Sequence, residues 1–168
     1  MERPEDFMVR ATIWVAVAAW AFAVARRLTA GNDRSARSLY SAGLIAYGAH
    51  MVAAFAGPYA WSWERALSET ARISAEKVGI ESANGLWWNA AFAVVWLVDA
   101  LRWWVQGVKG YGARGRWWRW SVDTFMAFMV FNGAVIFAAG PVRWFGLTLF
   151  AMLAYLAARQ VFARGASD

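Results

Sequence analysis

Five apolar runs divide the chain, at Phe7–Ala25, Leu39–Gly57, Asn84–Leu101, Trp120–Gly140 and Val142–Ala158. At 1.5 Å per residue, about 17–25 residues cross a hydrocarbon layer of ~30 Å, so each run is near the length of a membrane span. The runs are rich in Ala and Leu and lack period-2 alternation, which predicts helices. Arg26 and Arg27 close the first run. Gly57 and Pro58 close the second, where proline has no N–H to continue a helix. Only Gly140-Pro141-Val142-Arg143 separates the last two runs, so these form a tight antiparallel hairpin.

The segments between the runs are polar. Within Pro58–Ala83, the stretch Trp61–Val78 predicts an amphipathic helix on the outer side of the membrane, with Trp63, Leu67, Ile73 and Val78 apolar. Arg65, Glu69, Arg72 and Glu76 are spaced for i,i+3 and i,i+4 pairing, each pair contributing a few tenths of a kcal/mol. That is too little to hold an isolated helix, so docking on the bundle or in the headgroup layer is expected. Arg102–Arg119, with four glycines, reads as an irregular cytoplasmic connection. No internal repeat of the kind found in many secondary transporters is visible. The fold class expected is an all-α polytopic transmembrane bundle of about five spans, forming a single membrane domain over residues 1–168.

Composition strengthens the membrane reading. Of 168 residues, 61% are hydrophobic and 17% charged, against roughly 45–50% and about 25% in a soluble domain. A soluble fold of this size cannot hide that much apolar surface. The absence of cysteine excludes a disulfide scaffold and a thiolate site. A net charge of +6 suggests nucleic acid only if the basic residues form a stripe. Here they punctuate apolar runs, and Arg116-Trp117-Trp118-Arg119-Trp120 reads as an interface anchor, so no nucleic-acid partner is expected. The Arg- and Ala-rich usage suggests a GC-rich bacterium, and hence the bacterial inner membrane.

An outside N-terminus groups Arg26, Arg27, Arg34, Arg37, Arg102, Lys109, Arg114, Arg116, Arg119, Arg159 and Arg164 on one side, which should be cytoplasmic. The acidic Glu2, Glu5, Asp6, Glu64, Glu69, Glu76 and Glu81 fall opposite. Tryptophans repeat the division. Trp61, Trp63, Trp87, Trp88 and Trp144 mark outer boundaries, and Trp103, Trp104, Trp117, Trp118 and Trp120 inner ones. Ala21–Ala25 contains an A-x-A pattern, but the acidic residues beside Arg3 and Arg10 are wrong for a cleaved signal peptide. The first run is therefore expected to remain as a span.

Polar groups at membrane depth are functional candidates. Counted at 1.5 Å per residue from the inner boundary, His50, Asn89 and Asn132 all lie at about 17–18 Å. They form a candidate intramembrane polar site, with Tyr47 one turn below and Thr148 available from the last span. One reading is a ligand or proton site on the histidine, and the other an interhelical hydrogen-bond clamp. Asp99, Asp123 and Tyr155 form a candidate inner acidic layer. Asp99 and Asp123 are spaced to pair locally with Arg102 and Arg119, or else to enter the bundle as an ion or proton entrance. Ala49, Ala53 and Gly57, Ala19 and Ala23, and Ala134 and Ala138 offer small-residue faces for close helix packing.

With one histidine and no cysteine, bis-histidine haem ligation within one chain and the usual zinc ligand sets cannot be assembled, so no metal or cofactor is expected. No phosphate loop, nucleophile triad or paired catalytic carboxylate appears, and an enzyme is not expected. Across Ala49–Trp144 the chain carries Trp61-Ser62-Trp63, Thr70-Ala71-Arg72, Asn89-Ala90-Ala91-Phe92, Val95–Ala100, Trp103-Trp104, Phe131-Asn132-Gly133 and Gly140–Trp144. In these residues it resembles a family of small uncharacterised bacterial integral membrane proteins. The resemblance implies no activity and points to Asn89, Asp99, Asn132 and Arg143 for testing. Members tend to carry several histidines between the end of the second helix and the start of the outer helix. His50 matches, whereas Ala56, Tyr59, Trp61 and Trp63 depart, which weakens any metal or haem role.

The function expected is a non-catalytic accessory, scaffold or assembly subunit of a larger membrane complex. Its partners would be the lipid bilayer and other membrane subunits or copies of itself. The alternatives are a small proton, ion or solute transporter using His50, Asn89 and Asn132, and a haem- or quinone-associated redox subunit.

Overall fold

The computed structural model describes residues 4–165, so Glu2, counted for orientation, and Arg3, weighed for a signal peptide, lie outside the described residues. Six α-helices follow one another, with no strand among the described residues: α1 Pro4–Ala30, α2 Arg34–Ala56, α3 Trp63–Val78, α4 Asn84–Gly112, α5 Arg116–Phe131 and α6 Pro141–Gly165. A π-helical turn, Asn132–Ile136, continues α5. Four helices are long and apolar enough to cross a membrane: Phe7–Ala30, Arg34–Ala56, Asn84–Gly112 and Pro141–Gln160. The run expected as one helix over 120–140 instead divides into α5 and the π turn.

Helix ends follow from local chemistry. The Asp33 side chain caps α2, accepting from the Ala36 amide at 2.6 Å, and Ser62 caps α3 by accepting from Arg65 at 3.2 Å. Gly79 ends α3 in the left-handed region at φ 75°. Helix α4 continues past the expected boundary at Leu101, so the predicted irregular connection is largely helical. Gly107, at φ 68° and ψ −179°, breaks α4 and turns its last residues back on the bundle. A side chain there is strained, which is why glycine occupies the bend.

Helices α1 and α2 pack as an antiparallel pair through the buried Ala16, Ala23, Ala36 and Gly43. A Cβ on Gly43 would lie 2.8 Å from the Trp96 ring and 3.2 Å from the Ala16 carbonyl oxygen. The close approach on α2 therefore runs through Gly43, and Ala49, expected in that role, is exposed. Tyr40, Trp96, Trp103, Tyr111 and Met126 fill the core at one end of the bundle. The α1–α2 turn, the end of α4 and the C-terminal part of α6 meet at this end, where the Gln160 amide donates to the Leu28 carbonyl. Asn32 lies beside Gly112. Val9, His50 and α3 mark the other end.

Eight of the ten tryptophans assigned to interfacial belts are exposed, from 48% at Trp63 to 86% at Trp117. Trp103 and Trp118 are corrections. Trp103 is fully buried and Trp118 partly so, because their rings pack around an interior carboxyl group.

Candidate functional site

The expected inner layer divides into two sites. Asp99 lies on the inward face of α4 and is fully buried. Tyr40 and Tyr111 donate their hydroxyls to its Oδ2 at 3.2 and 2.5 Å, and Trp118 donates Nε1–H to its Oδ1 at 3.0 Å. The expected local pairing with Arg102 is replaced by this three-donor cage, and the Arg102 guanidinium sits 4.2 Å from the Trp118 ring centroid. The bend at Gly107 brings Tyr111 back to stack on Trp103 at 4.1 Å with planes 6° apart. The ring–ring contact and the hydrogen bond to Asp99 thus depend on one backbone conformation.

Asp123, on α5, pairs with Arg27 through two hydrogen bonds at 3.1 and 2.9 Å. Arg114 adds a second cation at 3.6 Å, its side chain 1% exposed and stacked 3.8 Å from the Tyr111 centroid. The expected pairing with Arg119 is thereby replaced by Arg27, 96 positions away, and by Arg114 in the α4–α5 turn, which tie α5 to α1 and to the end of α4. Burial pushes the Arg114 guanidinium below its ordinary value against the opposing pull of Tyr111 and Asp123. Tyr155 is 63% exposed, on the outer face of α6, and joins neither carboxyl group.

The expected upper layer is brought together differently. The three polar side chains do not bond to one another. His50 Nδ1 is 2.9 Å from the Val9 carbonyl oxygen, so it carries the hydrogen and donates. In the neutral ring, Nε2 is then an acceptor. Asn132 Nδ2 donates to the Phe128 carbonyl one turn back at 2.8 Å, and Tyr47 donates to the Asn89 carbonyl at 3.2 Å. What His50, Asn89 and Asn132 share is a cavity of about 890 Å³ between α1, α2, α4 and the π turn, covered by α3. Thr148, proposed for this layer, instead donates to Trp144 on its own exposed helix face. Arg143 donates Nε–H to the Val135 carbonyl at 2.9 Å and so closes the α5–α6 turn.

Sequence reasoning missed Tyr40, Tyr111, Trp118, Arg27 and Arg114. A signal for Tyr40 was present, since Tyr40, Gly43 and Tyr47 share one face of α2 at i, i+3 and i+7. Tyr111 carried none, because its place depends on the Gly107 bend. Among the described residues no three His, Asp or Glu side chains group as metal ligands. Comparisons with protein-family models, curated proteins and solved structures find no match.

Proposed function

We infer that this chain is a small integral membrane protein acting as a non-catalytic accessory, scaffold or assembly subunit of a larger membrane complex. The observation that carries this reading is the closed inner half of the bundle. Asp99 is held by three donors, Asp123 by two arginines, and stacked rings fill the space between them. Such groups are committed to holding helices together, and a proton or ion route through them requires breaking the cage. The same observation disfavours the transporter reading.

In this proposal α5 and the π turn form a fifth span. Residues 116–136 are continuously helical and reach roughly 31 Å, enough for the hydrocarbon core. The N-terminus is then outside and the C-terminus cytoplasmic, with α3 on the outer side of a bacterial inner membrane. The resemblance to small bacterial membrane proteins is consistent with this arrangement.

Purification in mild detergent with the natural membrane as source tests the function. A discrete complex containing other membrane subunits is expected. Recovery of the chain only by itself, at every detergent-to-protein ratio, overturns the reading.

A further inference from the structure

The interior is unevenly filled, and the uneven part has the character of a ligand site. At the Asp99 end, buried rings occupy the centre. At the α3 end, the centre is the cavity of about 890 Å³, at the upper part of the range of small-molecule pockets, roughly 300–1,000 Å³. None of the side chains lining it carries a formal charge when His50 is neutral. Its walls are largely aromatic and aliphatic, with Trp14, Trp88, Phe128 and Phe137 among the rings that line it. Polar groups face the same space, among them His50, Asn84, Asn89 and Asn132, with further hydroxyls from tyrosine, threonine and serine.

A second hollow lies beside the first. A groove of about 520 Å³ follows the α4–α5 seam, lined by Trp88, Trp120, Ser121, Thr124, Phe125 and Phe128. Trp88 and Phe128 line both spaces, so the groove adjoins the cavity on the flank of the bundle. From Phe128 to Trp120 it follows α5 for roughly 12 Å. A cavity with polar groups beside an apolar groove fits a molecule with a head and a tail.

We propose that this compartment binds an uncharged amphiphile of the phenol or quinol class, its hydroxylated ring in the cavity and its apolar tail in the α4–α5 groove. The head is uncharged because no ionic partner lines the cavity, and burying an unpaired charge there is costly. A planar ring matches the aromatic walls. The hydroxyl follows from the histidine: its Nδ1–H is used by Val9, which leaves Nε2 to accept from an O–H. The Asn89 amide supplies a donor for the ring's second oxygen. Binding alone is proposed, with no electron or group transfer. The proposal goes beyond the accessory-subunit reading and is tested on the isolated chain, so failure to find partner subunits leaves it standing.

The test uses the full chain in nanodiscs and tryptophan fluorescence quenching by a decyl-tailed benzoquinol. Decylbenzene, with no hydroxyl, serves as the control for tail binding in competition with that probe. Saturable binding of one quinol per chain is expected, with decylbenzene competing at least tenfold more weakly. A Cβ on Gly133 meets open space, so Gly133→Leu should be accommodated while reducing the cavity, and should weaken binding by tenfold or more. His50→Phe keeps a ring but removes the acceptor and should weaken binding about tenfold, the scale of one hydrogen bond. Melting curves show whether each variant is folded, and Asn89→Leu replaces either one that is not. Non-saturable quenching, equal affinity for decylbenzene, or unchanged binding in folded Gly133→Leu would overturn the proposal.

Discussion

At the residue scale, Asp99 shows how one carboxyl group organises three helices. Its three donors are not equivalent, because a tyrosine hydroxyl can rotate and accept, whereas an indole N–H can only donate. Asp99→Asn can turn its oxygen to Trp118 and its amide to the two tyrosines, which then accept. A loss of about 1 kcal/mol is expected for that variant. Asp99→Leu orphans all three donors and should cost about 3 kcal/mol or more. Thermal unfolding of the two variants in the same detergent measures the difference, and equal losses would exclude the cage as a source of stability. The residue was legible in sequence as a candidate, but its partners were not. Arg102 is close along the helix, and yet Tyr40 and Tyr111 reach the carboxyl group because two other segments deliver them.

At the element scale, the bend in α4 and the pairing on α3 make separate predictions. Gly107→Ala places a Cβ where φ is 68° and ψ −179°, at an expected cost of about 1–3 kcal/mol. Tyr111 should also be displaced from Trp103, so tyrosine and tryptophan near-ultraviolet circular dichroism should weaken with the melting temperature. An unchanged spectrum would show that the bend is not what positions Tyr111. On α3, Arg72 joins Glu69 at 2.7 Å and Glu76 at 3.0 Å. The hydrogen bond from Arg72 holds the Glu69 carboxyl below its usual value, with a smaller opposing effect of desolvation. A depressed carboxyl stabilises while ionised, so this contribution is present at neutral pH and is lost as pH falls through the folded value. Amide exchange in α3, corrected for its intrinsic pH dependence, should therefore show less protection below roughly pH 4. The change should be small, a few tenths of a kcal/mol for an exposed pair. Exchange protection that is unchanged by acid would assign α3's stability to docking alone.

At the scale of the whole molecule, the prediction concerns crossings. The chain has no cysteine, so a single introduced cysteine reports its own exposure without interference. Ser82→Cys and Ala139→Cys should label from outside in intact cells, and Ser35→Cys and Ala113→Cys only after the membrane is opened. Labelling of Ala113→Cys and Ala139→Cys from the same side would remove the fifth span from the topology. Asp123→Asn probes the same level of organisation, because it loosens α5 from α1 and leaves the nearly buried Arg114 beside Arg27. A loss of about 1–3 kcal/mol is expected in thermal unfolding, below the cost in a fully buried pair because Asp123 is partly exposed.

The sequence by itself determined that the chain is helical and apolar enough to suit a membrane. Apolar run length and glycine and proline punctuation are local properties, readable residue by residue, whereas packing decided that Trp103 and Trp118 leave the interfacial belt. It also singled out Asp99, Asp123, His50, Asn89 and Asn132, because polar side chains are conspicuous among apolar neighbours. Tertiary structure decided what each of them touches. Arg27 meets Asp123 across 96 positions and Tyr40 meets Asp99 across 59, and no helical period encodes such distances. It also decided that His50, Asn89 and Asn132 face a common space rather than one another. A cavity forms where facing helices fail to meet, so it is a property of their packing and not of any one helix.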